Sequence, residues 1–162
     1  METRPYMVLE LIEAESVTNR GGIRSVTDDD LWAMAGVMAD AYRGTIDDEG
    51  EDQPAALREL ESTANGAYGP ALRDAWLLHE TDGDISAAVI CTRWHELPFI
   101  AQAFTHPNRQ RNGISGRLVL AVAEELRRLG ETQLSLIVTR RNPAYELYLR
   151  LGFQERPWPE DA

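Results

Sequence analysis

Residues Gln110-Arg111-Asn112-Gly113-Ile114-Ser115-Gly116 place small, amide-bearing and cationic side chains just ahead of an apolar helical stripe. A strand that hands over to a helix here leaves several backbone N–H groups unpaired at the positive end of that helix, an arrangement that binds anions. Gly113 and Gly116 allow close backbone approach, and Arg109, Arg111 and Arg117 set guanidinium groups around the turn. A phosphate or pyrophosphate suits such a site. The same residues also read as a glycine-bearing turn that starts a helix, with its arginines solvated. A second concentration of chemistry is acidic: Asp47, Asp48, Glu49, Glu51 and Asp52 crowd one loop, where they either attract a cationic amine or form a solvated charge run.

Several function classes are excluded by what surrounds these residues. No Gly-x-x-x-x-Gly-Lys-Ser/Thr segment occurs, and no Gly-x-Gly-x-x-Gly follows the first strand of a βαβ unit, so nucleoside triphosphate and dinucleotide enzymes lose ground. A net charge of −11 makes nucleic acid an improbable partner, because affinity for it comes from neutralising phosphates with basic side chains. Cys91 is the only cysteine and lies in an apolar run, which excludes an internal disulfide and a multi-cysteine zinc site; no metal is expected. No apolar stretch approaches the roughly 20 residues of a membrane span, and no secretory leader is recognisable, so no membrane partner is expected and the cytoplasm is the default compartment. The charge is uneven: residues 1–96 carry 20 acids and 7 Arg, residues 97–162 carry 7 acids and 9 Arg. With 162 residues and no Pro/Gly/Ser-rich linker, one domain over 1–162 is expected.

The elements that must position these groups follow from periodicity. Residues 6–12 and 22–26 read as strands joined through Asn19-Arg20-Gly21-Gly22 into an N-terminal hairpin over 6–26. Thr27-Asp28-Asp29-Asp30 opens a helix in the manner of a capping box, and Leu31, Met34, Ala35, Met38, Ala41 and Tyr42 mark its buried face. A helix near 55–64 follows the acidic loop. Residues 75–80 and 84–94 flank Asp82-Gly83, a strong hairpin signal, and a strand at about 98–105 comes next. Ile114, Leu118, Val122, Leu126 and Leu129 trace a helix stopped by Gly130. Leu134, Leu136 and Val138 alternate as a strand, Asn142-Pro143 opens a last helix as cap and first-turn proline, and Gly152 ends it. The fold class is therefore α/β (α+β): a mixed sheet with helices on its faces.

The stretch Thr105-His106-Pro107-Asn108-Arg109-Gln110-Arg111-Asn112-Gly113-Ile114-Ser115-Gly116 resembles the acetyl-CoA-binding motif of the GNAT family of N-acetyltransferases, with Gln110, Gly113 and Ser115 in its signature places. Pro143-Ala144-Tyr145-Glu146-Leu147-Tyr148-Leu149-Arg150-Leu151-Gly152-Phe153 is similar to the family's C-terminal helix and turn. The resemblance covers about residues 97–156, taken as the CoA-binding part. It implies a central, mostly antiparallel sheet with a V-shaped splay between the strand near 98–105 and the strand near 133–139. It further implies that backbone groups around Phe104 and Thr105 hold the pantetheine arm of acetyl-CoA. Gln110, Arg111, Asn112, Gly113, Ile114, Ser115 and Gly116 would hold the pyrophosphate, with Asn142 a further contact.

Direct acetyl transfer asks for an uncharged amine, a stabilised oxyanion and a proton for the departing thiolate. By family position Tyr148 supplies that proton as general acid: a phenol with a pKa of about 10 stays protonated at neutral pH and can donate to a thiolate of pKa about 8–9. Packing is its alternative role. The base is less defined. Phe99 stands where some relatives carry a carboxylate, so Glu96, with His95 beside it, is the nearest upstream candidate. His106 is a poorer one and His79 reads as a core histidine. Tyr42, Arg43 and the Tyr68 turn fall where the resemblance puts acceptor contacts. The expectation is an acetyl-CoA-dependent N-acetyltransferase acting on a small amine, an amino acid or a peptide, with a homodimer possible. A non-catalytic acyl-CoA-binding module is the alternative that Phe99 motivates, and a structural domain whose arginine-rich turn binds a partner's acid is a third.

Overall fold

The structure is a computed structural model that describes residues 3–160. In chain order its elements are β1 (Tyr6–Glu10), β2 (Ile23–Ser25), α1 (Leu31–Tyr42), α2 (Gln53–Ala64), β3 (Leu77–Thr81), β4 (Asp84–Trp94), β5 (Leu97–Thr105), α3 (Ile114–Arg128), β6 (Gln133–Ile137), α4 (Ala144–Leu151) and β7 (Gln154–Arg156). The strands form one seven-stranded sheet in the order β2-β3-β4-β5-β6-β1-β7, antiparallel throughout except for the β5–β6 pair.

Local chemistry explains most boundaries. The Thr27 side chain and the Asp30 carboxylate close a reciprocal capping box ahead of α1, with Thr27 N donating to Asp30 Oδ2 at 2.7 Å. The β3–β4 hairpin turns on Asp82 and Gly83, both left-handed at φ 54° and 85°, as a two-residue turn that matches strand twist requires. The β4–β5 hairpin uses His95 and Glu96 in the same way, at φ 49° and 69°. At the end of α4, Gly152 adopts φ 107° while Gly152 N donates to Leu149 O and Phe153 N to Tyr148 O. This is a Schellman cap, and its usual apolar contact is the packing of Phe153 on Tyr148, ring centroids 5.5 Å apart.

Helices cover both faces of the sheet. On one, α3 and α4 lay Leu118, Val122, Leu126 and Tyr148 against Met7, Leu9, Val89 and Leu136. On the other, α1 and α2 bring Met34, Met38 and Leu60 onto Trp76, Leu78, Ile90 and Phe104. A cavity left by Leu118→Ala in such packing costs about 2–5 kcal/mol. Leu129, expected on the buried stripe of α3, lies beyond the helix end and is 53% exposed.

The N-terminal hairpin over 6–26 does not form. β1 pairs with β6 and β7, whereas β2 pairs with β3 at the opposite edge of the sheet. Burial decides this: Tyr6, Met7, Val8 and Leu9 are all buried, which an interior strand covered on both faces demands, while β2 (Ile-Arg-Ser) is a short, half-exposed edge. The connection between them runs over α3, held where Val17 N and Arg20 Nη2 donate to the Glu124 carboxylate at 2.7 Å each.

Candidate active site

A single irregularity in the sheet makes the site. Along the β4–β5 pair, Ile90 faces Gln102 and Cys91 faces Ile100, so Ala101 has no opposite residue. Such a bulge bends and twists its strand. The parallel pairing of β5 with β6 joins Phe99 to Ser135 and Ile100 to Leu136 and ends there, at the bulge. Beyond it the strands part, and a cleft of about 520 Å³ opens, walled by β5 (99–103), by 136–139 and by Tyr148 of α4.

The parted edge offers backbone partners. His106 N donates to Ser86 O of β4 at 2.8 Å, so by antiparallel alternation Phe104 also turns its backbone to β4 while Ala103 and Thr105 turn theirs to the gap. The Phe104 side chain is buried in the α1–α2 core. Of the expected pair around 104–105, the strand edge therefore presents Ala103 and Thr105, and the Thr105 carbonyl already accepts from Gln110 Nε2 at 3.2 Å.

Beyond β5 the chain turns through Pro107–Arg109 into α3, with Arg111 left-handed at φ 68° and Gly113 at φ 75° as the helix N-cap. Arg117 N donates to Gly113 O, which leaves the N–H groups of Ile114, Ser115 and Gly116 at the open end of α3. A Cβ built on Gly113 meets nothing within 4 Å, so the loop faces open space; one on Gly116 meets Leu147 and Leu151, so Gly116 serves the α3–α4 contact. Arg111 and Asn112 are exposed, whereas Arg117 reaches Asn19 O at 3.4 Å. The residues 110–116 lie outside the cleft lining, on the continuation of β5.

Tyr148 and Asn142 do line the cleft. Tyr148 is buried, and burial pushes its phenol up to about 12, so it stays protonated across the neutral range. Asn142 caps α4 by accepting from Ala144 N at 2.9 Å, and its Nδ2 donates to Asp47 Oδ2 at 2.9 Å. Asp47 Oδ1 accepts from Thr139 Oγ1 at 2.9 Å. One carboxylate thus ties the acidic α1–α2 loop to the opposite lip of the cleft, and the Asn142 amide is occupied in doing so.

Glu96 is a correction. It forms the exposed tip of the β4–β5 turn, outside the cleft lining, because the left-handed turn needs that position. His95 shares the turn and stands edge-on to Trp94 at 4.3 Å. His106 Nδ1 accepts from Asn108 N at 3.1 Å within its turn. His79 is buried with Nδ1 2.6 Å from Ser86 Oγ, and burial lowers its pKa.

The carboxylates that do face the cleft are Asp47, Glu49 and Glu51 of the acidic loop and Glu59 of α2. Glu59 Oε1 accepts from Tyr68 Oη at 2.6 Å, which pushes the Tyr68 phenol up to about 12. Burial, then the adjacent Glu49 carboxyl, raise Glu51, making it a better proton acceptor than an ordinary carboxylate. Tyr42 lines the same wall and is raised by burial and then by Tyr148 and Asp47. Arg43 points elsewhere, to Asp40 at 2.8 Å. Phe99 packs on Trp94 at 4.8 Å, and Trp94 meets Trp158 at 6.4 Å, completing an aromatic wall. Glu59, Gln102 and Trp158 are additions that the sequence reading lacked. A polar residue in the middle of the apolar run 97–105 was the available signal for Gln102, and the placement of Glu59 beside the buried Ala56 and Leu60 the signal for Glu59.

Comparison with known proteins places this arrangement. The model of the FR47-like protein family matches residues 91–160. No curated protein matches the chain. Among solved structures, the ribosomal-protein-S18-alanine N-acetyltransferase from Escherichia coli is similar at TM-score 0.66 and 23% identity, covering 83% of this chain and 77% of that one. The PaiA N-acetyltransferase from Thermoplasma acidophilum, in complex with coenzyme A, gives TM-score 0.65 at 18% identity over 85% of this chain and 92% of that one. A GCN5-related N-acetyltransferase from Sphaerobacter thermophilus gives 0.68 at 19% identity over 94% of this chain, which spans 48% of that longer protein. At these identities the likeness is one of fold. Among the described residues no helix is long and apolar enough to cross a membrane.

Proposed function

We propose that this chain, which has the fold of GNAT N-acetyltransferases and matches the FR47-like family model over residues 91–160, is an acetyl-CoA-dependent N-acetyltransferase that delivers the acetyl group directly to a primary amine. The observation that carries this reading is the bulge at Ala101, which parts β5 from β6 and leaves Tyr148 buried in the wall of the resulting cleft. Acetyl-CoA supplies the activated thioester. The residues present fit it: the gap-facing backbone of Ala103 and Thr105 suits the amides of a pantetheine arm, and the open N–H groups at 114–116 with Gly113 and Arg111 suit a pyrophosphate.

In the transfer, a C–N bond forms between the acetyl carbon and the amine, the C–S bond breaks, and the sulfur leaves with a proton from the Tyr148 hydroxyl. The amine gives up one proton to solvent. Tyr148 then recovers its proton from solvent. Thiol release from acetyl-CoA, followed with a panel of amines and short peptides alongside calorimetric CoA binding, tests the reading. Amine-dependent release from wild type, lost in Tyr148→Phe with CoA affinity kept, is the expected outcome. Tight CoA binding without turnover on any acceptor favours the non-catalytic binding module, and absence of CoA binding overturns both.

A further inference from the structure

The acidic wall exceeds what an acetyl transfer needs. Glu49, Glu51 and Glu59 line one side of the cleft, and among the described residues no guanidinium pairs with any of them; the cleft's one arginine, Arg4, stands beside Trp158, whose Nε1 donates to Arg4 O at 3.0 Å. Burial raises the Glu51 carboxyl, and the adjacent Glu49 carboxyl raises it further. Among the described residues no three His, Cys or carboxylate groups gather tightly enough to hold a metal ion.

An independent observation points the same way. Gln102 lines the cleft from β5, is 6% exposed, and has a side-chain oxygen with no hydrogen-bond partner among the described residues. The orientation of its amide is fixed by its neighbours: Thr63 Oγ1 spends its proton on Glu59 O at 3.0 Å and must accept from Gln102 Nε2 at 2.9 Å. Oε1 is therefore a true orphan acceptor, and a buried one costs free energy until a donor reaches it. The Nε2 of the same amide lies 3.5 Å from Glu59 Oε1, a carboxylate of the acidic wall.

We propose that the acceptor is a small linear diamine or polyamine: one amine reacts between β5 and β6 while a second ammonium group seats among Glu49, Glu51 and Glu59 and donates to Gln102. This rests on the acetyltransferase reading and goes further by naming the acceptor's chemistry. The second ammonium is not consumed; it anchors the chain so that the reacting amine reaches the acetyl group. Three carboxylates exceed the single positive charge of a peptide N-terminus, and Tyr42 and Tyr68 line the same cleft.

The test compares kcat/KM of the full chain for butylamine, 1,4-diaminobutane, spermidine and an alanine-initiated peptide at one pH. The expected result is a preference for the diamine or polyamine over butylamine of about tenfold or more, shrinking as salt rises. Glu51→Gln and Gln102→Leu should each collapse that ratio, chiefly through KM for the diamine. Glu49→Gln, at an exposed position, repeats the test without burial at stake, and unchanged CoA affinity shows that each variant has folded. Turnover with equal kcat/KM for butylamine and the diamine, or a clear preference for the peptide, overturns the inference while leaving acetyl transfer intact. Turnover on none of the acceptors overturns the transfer reading itself.

Discussion

The two walls of the cleft are made in different ways. The wall of β5 works through backbone, the Ala101 bulge and the gap-facing edge of Ala103 and Thr105, and beyond the cleft its continuation into the left-handed Gly113 and the start of α3 does the same. The wall from α1, the acidic loop and α2 works through side chains: Glu49, Glu51, Glu59, Tyr42 and Tyr68. Asp47 joins them, bonded to both Thr139 and Asn142. Backbone recognition needs particular conformations and so fixes glycines and spacings, whereas side-chain recognition can be assembled from separated residues. On the proposed reading, the first would handle a constant cofactor and the second would select a variable acceptor.

The largest expected effect probes that division. Tyr148→Phe should lose about 10²–10⁴ in kcat, measured by thiol release, while Glu96→Gln at the exposed turn stays within about twofold. A loss in Glu96→Gln comparable to that in Tyr148→Phe would make the exposed β4–β5 turn part of the reaction.

The join comes next. Asp47→Ala leaves the buried Thr139 hydroxyl and the Asn142 amide without their partner and should cost about 1–3 kcal/mol of unfolding free energy in urea. It should also raise KM for the amine, since the acidic loop loses its tie to the opposite lip. An unchanged KM would mean that the two walls act independently.

A smaller effect is expected at the C-terminus of α4. Gly152→Ala forces an L side chain to φ 107° and sets its Cβ 3.2 Å from Leu9 Cδ1, at a cost of about 1–2 kcal/mol. Because the same cap seats Phe153 on Tyr148, kcat should fall with stability.

The smallest effect belongs to a site outside both walls. Asp30 is held below the usual carboxylate range by the Arg24 guanidinium and by the Thr27 hydrogen bonds. A depressed pKa means that its stabilisation is present above the unfolded value of about 3.9 and is lost as pH falls below it. Asp30→Asn should therefore lower the Tm at pH 7 by the equivalent of about 1 kcal/mol and converge with wild type in acid, with kcat/KM unaffected.

This contrast also explains what could be read from the amino-acid order. The Asp82-Gly83 turn, the capping box at Thr27 and the Leu151-Gly152-Phe153 end of α4 are local devices, each within a few residues, and they form as the sequence indicates. The partner of β1 was not legible. A Gly-Gly turn suggested local pairing, but the four consecutive buried residues Tyr6 to Leu9 required an interior slot between β6 and β7, contacts of long sequence separation. The site divides likewise. Tyr148 and the 110–116 turn lie in contiguous motifs. Glu59, Gln102 and Trp158 reach the cleft from three separate elements, and no local pattern links them. Glu96 is the nearest carboxylate upstream of Phe99, and order along the chain does not show that His95 and Glu96 are both committed to a left-handed turn.

The central claim is that the gap opened at Ala101 seats an acyl-pantetheine arm against Tyr148. A crystal structure of the protein with bound coenzyme A tests it most directly. The account predicts the pantetheine between β5 and β6, hydrogen-bonded to Ala103 or Thr105, with the sulfur facing the Tyr148 hydroxyl. Coenzyme A bound elsewhere, or its sulfur turned away from Tyr148 with β5 and β6 closed, would contradict it.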